Sequence, residues 1–468
     1  MNKIFSIGTA LTLCGLTLVS CKSPNGLFSD YERPDSLQVP LELYRDTISD
    51  KALSADTTNF GNLSWREVFT DPQLQVLIEK ALAANTNIRE AEINVKQAEA
   101  SLKVSRLAFY PSLALSGTGT VSSWDFGKAT KVYSVPLSAS WQIDAFGTLR
   151  NAKKQSQMSL YAVRASKQAT QTAIIASVAN MYYTLEMLDA QLKTTEETAE
   201  IWDKNVKAME LMFEAGSTTG TAVLQAKANR MSIVNSLPTL RNNIRQTENS
   251  LCALLHETSH TIARGNIEDA QFPTSLSAGV PLQLLANRPD VRAAELQMAY
   301  AYYGVLGARG AFYPQITLSG SGAWTNSSGM GIVNPGKILA TAIGSLVQPI
   351  FQNGKLRANL KIAKLAQESA QLEFEQKLLD AGNEVSAAMS DYQTAIQRTA
   401  GDKELVEHLS ETNEKTLLHF QRGNTVSYLE TLTAQQSLLQ AQLDLISDKL
   451  DEIQAVISLY QALGGGHD

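Results

Sequence analysis

What most narrows the possible folds is a duplication whose halves keep their spacing over more than 120 residues. Ala91-Glu92 returns as Ala294-Glu295, Phe109-Tyr110-Pro111 as Phe312-Tyr313-Pro314, and Leu115-Ser116-Gly117 as Leu318-Ser319-Gly320, all at an offset of 203. Gly147-Thr148-Leu149-Arg150 then matches Gly354-Lys355-Leu356-Arg357 at an offset of 207, the offset that also relates Phe213 and Gly216 to Phe420 and Gly423. Constant spacing means one structural unit built twice.

Proline placement shows what the unit is made of. None lies between Pro136 and Pro238 and none follows Pro349, so very long helices are permitted in both gaps. In the first, Ile174, Val178, Met181, Leu185, Leu188 and Leu192 alternate steps of four and three; in the second, Leu439, Leu443, Ile446, Leu450, Ile453, Ile457 and Tyr460 do the same. That period is a coiled-coil seam. A helix from Gly147 to about Phe213 would be roughly 100 Å long at 1.5 Å per residue, and Gly216 and Gly423 fall where each long helix would turn back.

Two short segments of another kind precede each long helix. Tyr133, Val135, Leu137, Ala139, Trp141 and Ile143 share one face, and Ser134, Pro136, Ser138, Ser140 and Gln142 the other. Leu113, Leu115 and Val121 begin the same pattern after Pro111, as do Ile316, Leu318 and Trp324 after Pro314. About ten alternating residues are the mark of a strand with lipid on one side and water on the other. The fourth segment, near 338–350, alternates poorly and leaves its register open. A hairpin packed on a water-enclosed core would give the same alternation in any single segment.

The N-terminus supports the membrane reading. Lys3 followed by the apolar stretch Ile4–Val19 reads as a secretory signal, residues 1–20. It ends in Leu18-Val19-Ser20-Cys21, a bacterial lipobox in which Cys21 becomes the acylated N-terminus, a covalent lipid being the only prosthetic group expected. Beyond it no run of about 18 apolar residues occurs, so a membrane-spanning helix is not expected. With 40 basic against 46 acidic residues and a net charge of −6, a nucleic-acid partner is not expected either. The three cysteines build no disulfide framework. His256-Glu257-Thr258-Ser259-His260 matches HExxH, which needs both imidazoles one turn apart on a helix. Here Thr258, Ser259 and Thr261 disfavour a helix, Ala263 replaces the glycine of the longer motif, and no histidine follows before His408. The chain is therefore not expected to be an enzyme or to hold a metal.

Several stretches carry a family resemblance: Trp65-Arg66-Glu67 with Phe69 and Asp71; Leu77-Ile78 with Ala81-Leu82; Trp141-Gln142-Ile143-Asp144-Ala145-Phe146-Gly147; Leu284-Leu285-Ala286-Asn287-Arg288-Pro289-Asp290-Val291; and Tyr460-Gln461-Ala462-Leu463-Gly464-Gly465-Gly466. On these the sequence resembles the TolC-like outer-membrane efflux lipoproteins, exit ducts of resistance-nodulation-division pumps. Two positions depart from the family pattern. His467 stands where tryptophan is usual, and Pro238 falls inside the expected return helix, where a kink is expected.

The resemblance implies a mainly α chain with a membrane β-barrel: four strands plus long coiled-coil helices per protomer, with a homotrimer closing a 12-stranded barrel above an α-helical periplasmic tunnel. Four strands alone would leave open edges in lipid, which is not viable. The expected layout is an anchor and wrapping segment at 21–71, a first repeat at 72–260, an equatorial linker at 261–283, a second repeat at 284–463 and a tail at 464–468. Arg288 and Asp290 are expected to be structural, at a helix start. The implied partners are outer-membrane lipid, a periplasmic adaptor and an inner-membrane pump of the resistance-nodulation-division class. The adaptor would meet the hairpin tips at Ala215, Gly216, Ser217, Arg422, Gly423 and Asn424. A gate would form at Leu429, with Thr433 one turn on where relatives carry aspartate, and with Glu430 supplying charge. The expected function is a passive outer-membrane duct for drugs or other toxic small molecules. The alternatives are the duct of a type I protein secretion system and a poreless coiled-coil lipoprotein.

Overall fold

The computed structural model describes residues 26–34, 60–123, 125–272, 287–325, 338–421 and 428–466. In chain order the main elements are α1 (Pro72–Ala84), α2 (Thr86–Leu107), β1 (Ser112–Leu115), β2 (Thr118–Ser122), β3 (Thr130–Ile143), α3 (Thr148–Glu214) and α4 (Gly220–Leu254). The second half repeats the pattern with α5 (Pro289–Gly310), β4 (Gln315–Thr325), β5 (Ile338–Val347), α6 (Lys355–Gln421) and α7 (Tyr428–Ala462). The equivalences extend to length: α2 and α5 have 22 residues each, α3 and α6 have 67, and α4 and α7 have 35. The first long helix thus has the length expected of Gly147 to about Phe213, displaced by one residue along the chain.

Contacts divide the chain into two compact units, one holding residues 94–164 and 293–375 and with them the sheet, the other holding 165–292 and 376–468 together with 39–93. In the first unit the sheet is an antiparallel meander, β1-β3-β4-β5, with β2 also on β3. The first strand differs from expectation in being cut in two. Yet Ser112↔Ser140 and Thr118↔Ser134 belong to one register, so β1 and β2 occupy a single strand position. The cut falls opposite Pro136: Ser116 donates to its carbonyl at 3.1 Å, but proline has no N–H to return the bond. The segment of uncertain register, β5, pairs with β4 over ten residues from Gln315↔Val347.

Asp144 sets the start of α3, its carboxylate accepting the amides of Leu149 (3.0 Å) and Arg150 (2.8 Å) at the positive end of the helix. Gly147 beside it has φ +78°, and a Cβ there would stand 2.9 Å from the Phe28 ring. The segment carrying Phe28 is itself held down in this unit: Asn151 donates to Leu27 O, Arg33 pairs with Glu295 at 2.7 Å, and Lys154 pairs with Asp30. Lys154 accordingly holds the Asp30 carboxyl below the usual range.

In the second unit the seam residues Ile174, Val178, Leu185, Leu188, Leu450, Ile453, Ile457 and Tyr460 are buried. Polar pairs fix the antiparallel register of α3 against α4: Glu196–Arg241 at 2.7 Å, Asp203–Arg230, and Glu210–Lys227 at 2.7 Å. Gln191–Ser447 and Asn205–Gln435 do the same for α3 against α7. Such exposed ion pairs add little stability individually; here they choose the register. Helix α4 continues across Pro238 as one helix.

The chain's end is built into this unit. Tyr460 donates its hydroxyl to Leu63 O and accepts from Gly466 N, both at 2.8 Å, while Phe60 and Phe69 pack edge-on against its ring. Arg288, 6% exposed, reaches Asp290 with two bonds (2.7 and 3.0 Å), Glu384 at 2.6 Å and Ala462 O at 3.1 Å. Burial would raise Asp290, but the Arg288 bonds prevail and hold its carboxyl below the usual range. The structural role expected for Arg288 and Asp290 is thus the one they fill. Gly464 leaves no room for a Cβ, which would lie 2.6 Å from the Asn287 backbone, and at Gly465 a Cβ would lie 2.3 Å from the Tyr460 ring. His467 lies outside the described residues. Gly465→Ala should force Tyr460 off its two backbone partners and cost about 1–3 kcal/mol, measurable as a lowered thermal midpoint of the purified protein.

Candidate functional site

Pairing partners in a sheet share a face, so the registers sort every strand residue. One face carries Leu113, Leu115 and Val121, then Lys131 at one end of β3 followed by Tyr133, Val135, Leu137, Ala139 and Trp141, then Ile316, Leu318, Gly320, Gly322 and Trp324, and finally Leu346. Its large side chains Leu113, Leu115, Val121, Leu137, Trp141, Leu318, Trp324 and Leu346 are all exposed. A contiguous bare apolar surface of this kind calls for an apolar neighbour. With 14, 11 and 10 residues, β3, β4 and β5 meet the 9–11 needed for a tilted strand to cross a bilayer. Aromatic rings stand where such a band should meet headgroups. Trp141 donates to Phe109 O at 2.9 Å, and Phe146 stacks on Tyr313 at 5.0 Å.

The opposite face is hydroxyl-rich. It carries Ser112, Thr118, Thr120, Ser134, Ser138, Ser140, Gln142, Thr317, Ser319, Ser321, Thr341 and Ser345, and no charged residue among the described strand positions. Many of these hydroxyls are tied to the sheet: Ser138 donates to Ala114 O at 3.2 Å, and Ser321 and Thr341 meet at 2.8 Å. The weak alternation of β5 has a clear source, since Ile343 and Val347 lie on this hydroxyl face.

The helical hairpin between α3 and α4 ends as its glycine implied. Gly216 has φ +73°, and Ser217 N bonds Met212 O at 2.8 Å while Gly216 N bonds Phe213 O at 2.9 Å. That pair of bonds is a Schellman cap. Thr219 then caps α4 by accepting Ala222 N. Beneath the turn Val206, Met209, Val223 and Ala226 form a small core joined by Met212, Ala222 and Phe420. Ala215, Gly216 and Ser217 therefore form a surface turn; Arg422, Gly423 and Asn424 lie outside the described residues, as does Cys21. Leu429 and Glu430 open α7, and Thr433 follows one turn on with its hydroxyl on Leu429 O at 2.9 Å. Leu429 is 69% exposed, and Thr433 is exposed on the same helix side, whereas Thr431, Leu432, Ala434 and Gln435 are buried. Within its own protomer Leu429 is thus not a seam residue.

The HExxH segment cannot work as a zinc helix. Helix α4 ends at Leu254, and His256 itself takes the left-handed turn at φ +58°, with Glu257 N on Cys252 O closing the cap. His260 Nδ1 donates to Thr258 O at 2.9 Å, so it cannot accept from the Cys252 thiol 3.5 Å away. Glu257 is instead paired with Lys80.

Sequence reasoning missed two features. Asp144 was legible as part of a motif, yet its capping role lacks a counterpart in the second repeat, where Phe351 occupies the matching position and is 81% exposed beside Ile350. The buried acid Glu186 carried no signal, being one glutamate among many on a long helix.

The family model described as outer membrane efflux protein matches residues 77–256 and 280–465. The cation efflux system protein CusC of Escherichia coli O6:H1 is 30% identical, over 99% of this chain and 98% of that protein. The probable outer membrane lipoprotein SilC of Salmonella typhimurium is 27% identical over similar shares, 99% and 98%. A crystal structure of CusC superposes with a TM-score of 0.85 at 28% identity, covering 94% of this chain and 99% of the other.

Neighbouring residues on opposite faces provide a direct test of the sheet. Leu137→Lys should cost about 2–4 kcal/mol if it falls at mid-bilayer and abolish incorporation into the outer-membrane fraction. Ser138→Lys should be tolerated, with heat-modifiable migration unchanged.

Proposed function

The chain belongs to the outer membrane efflux protein family, and from that premise we propose that it is the trimeric exit duct of a tripartite efflux pump. The observation that carries this reading is the sheet: one bare apolar face, one hydroxyl face, and two outer edges, β1/β2 and β5, each without a strand partner among the described residues. Backbone groups on such edges have no water to bond in a bilayer. Three copies joined edge to edge supply the missing bonds and a barrel of twelve strands, an allowed even number. A poreless coiled-coil tether has no use for such a sheet.

The duct performs no chemistry. A resistance-nodulation-division transporter, joined through a periplasmic adaptor, drives cargo into it. That cargo is a class of small molecules such as drugs or other toxic compounds; the cation efflux named for the relative CusC adds metal ions to the classes worth testing. The hydroxyl face offers a mobile ion no carboxylate, imidazole or thiolate ligand, so cargo would be conducted and not held. The adaptor docks on the hairpin tips, around Ala215, Gly216 and Ser217 and around Arg422, Gly423 and Asn424. The SilC relative, named a lipoprotein, supports acylation at Cys21, and the anchor adds to a hold that the barrel already has.

Three copies of Leu429, exposed at the start of α7, form an apolar constriction that resists wetting. Thr433 stacks a neutral ring one turn away, leaving Glu430 to supply charge beside it. In planar bilayers the purified protein should conduct, and Leu429→Ser should raise its resting conductance while the trimer band stays intact. Wild-type conductance with a weakened trimer would instead make Leu429 an interprotomer packing residue, and no conductance from any preparation would defeat the duct reading. Cys21→Ser should lose labelled palmitate yet still reach the outer membrane; retained label would refute the anchor.

A further inference from the structure

Glu186 on α3 is 2% exposed, and its Oε1 has no hydrogen-bond partner. It faces a pair of groups already joined. Asp71 caps α1 by accepting Gln73 N at 2.7 Å and takes the Tyr182 hydroxyl on its other oxygen at 2.5 Å. The Tyr182 oxygen in turn accepts the amide of Gly265 at 3.0 Å. A Cβ on Gly265 would stand 3.0 Å from Glu186 Oε1, 3.3 Å from Asp71 Oδ2 and 3.7 Å from the Tyr182 oxygen. Oxygens from α1 and α3 therefore converge on one backbone position of the segment that follows α4. Glu186, Gly265 and Asn266 also form a wall common to two cavities of about 510 and 330 Å³.

We propose that Glu186 is a proton-operated clasp. Protonated, its carboxyl joins the Asp71–Tyr182 pair and holds the segment at Gly265 against α1 and α3. Ionised, it sets a second negative charge beside Asp71 and loosens that hold. The surrounding charges leave it no cation of its own. Arg264, beside Gly265 in the chain, is committed to Asp189 (2.5 and 2.9 Å) and to Glu248 of α4 (2.6 Å). Asp189 and Glu197 on α3 and Glu268 after α4 line the larger cavity with Lys193, Lys403 of α6 and Lys449 of α7, and Asp269 lines the smaller with Asp71 and Tyr183.

Burial first, then the charges of Asp71 and Asp189, push Glu186 up to about 7. A carboxyl raised on folding binds more protons in the native state, so its contribution is retained below the ordinary glutamate range and lost progressively up to and through pH 7. The clasp concerns the segment at 261–272 and does not depend on what the duct carries.

The test is hydrogen exchange of a peptide spanning 262–272 in the detergent-solubilised full-length protein from pH 5.5 to 8.5, for wild type, Glu186→Gln and Asp71→Asn. Taking wild type relative to Glu186→Gln at each pH removes the intrinsic exchange rate. Wild-type protection should fall with pH relative to the glutamine variant, by up to about tenfold per pH unit between the ordinary glutamate range and pH 7, and should level off above it. Asn keeps the α1 cap, so Asp71→Asn should move the midpoint to lower pH. Parallel profiles for wild type and Glu186→Gln would overturn the clasp, as would an unmoved midpoint in Asp71→Asn. Should Glu186→Gln fail to assemble, the Asp71→Asn midpoint decides alone.

Discussion

A β-sheet in a bilayer must satisfy every backbone donor and acceptor from protein, because lipid offers none. In this chain that requirement falls on the outward edges of β1/β2 and β5, which the protomer leaves unpaired among its described residues. Much of the rest follows. The strands must be copied around an axis before the apolar face has anywhere to go, and the helices joined to them are copied with them. Pro136 is tolerable for the same reason in reverse: its missing N–H points to the β1/β2 side, where the cost is one interruption and not a free end.

Much of this was legible because the sequence obeys two clean periods. The heptads in 174–192 and 439–460 located the long helices, and the strict alternation of 133–143 located β3 with both its faces. What stayed illegible had physical causes. The register of β5 is set by ten backbone pairs with β4, whereas its own side chains place Ile343 and Val347 against the pattern. The break between β1 and β2 depends on a proline in the neighbouring strand, about twenty residues away in sequence. The solitary burial of Glu186 depends on residues from α1 and from the segment after α4, which no local window on α3 contains.

The terminal glycines illustrate how a weak-looking signal can be the most constrained part of a chain. Gly464, Gly465 and Gly466 fall in the expected tail, yet each lies against a different partner: the Asn287 backbone, the Tyr460 ring and Ile175. Arg288 closes over the same place through Ala462 O. A buried guanidinium is stabilising only where its donors find partners, and Asp290, Glu384 and Ala462 together take four of the five. The Asn-Arg-Pro-Asp stretch and the glycine run, far apart in sequence, are two sides of one contact.

The equality of the paired helices, 67 with 67 and 35 with 35 residues, has an evolutionary corollary. A one-residue insertion in α3 would rotate its apolar stripe by about 100° and put every α3–α4 and α3–α7 side-chain pair beyond it out of step. A whole heptad, close to 10.5 Å of rise, keeps the stripe nearly in place, and then the antiparallel partner and the duplicate copy must take the same increment. Length in this architecture is therefore a quantity shared across four helices, and a change in any one of them alone breaks the seams of the others.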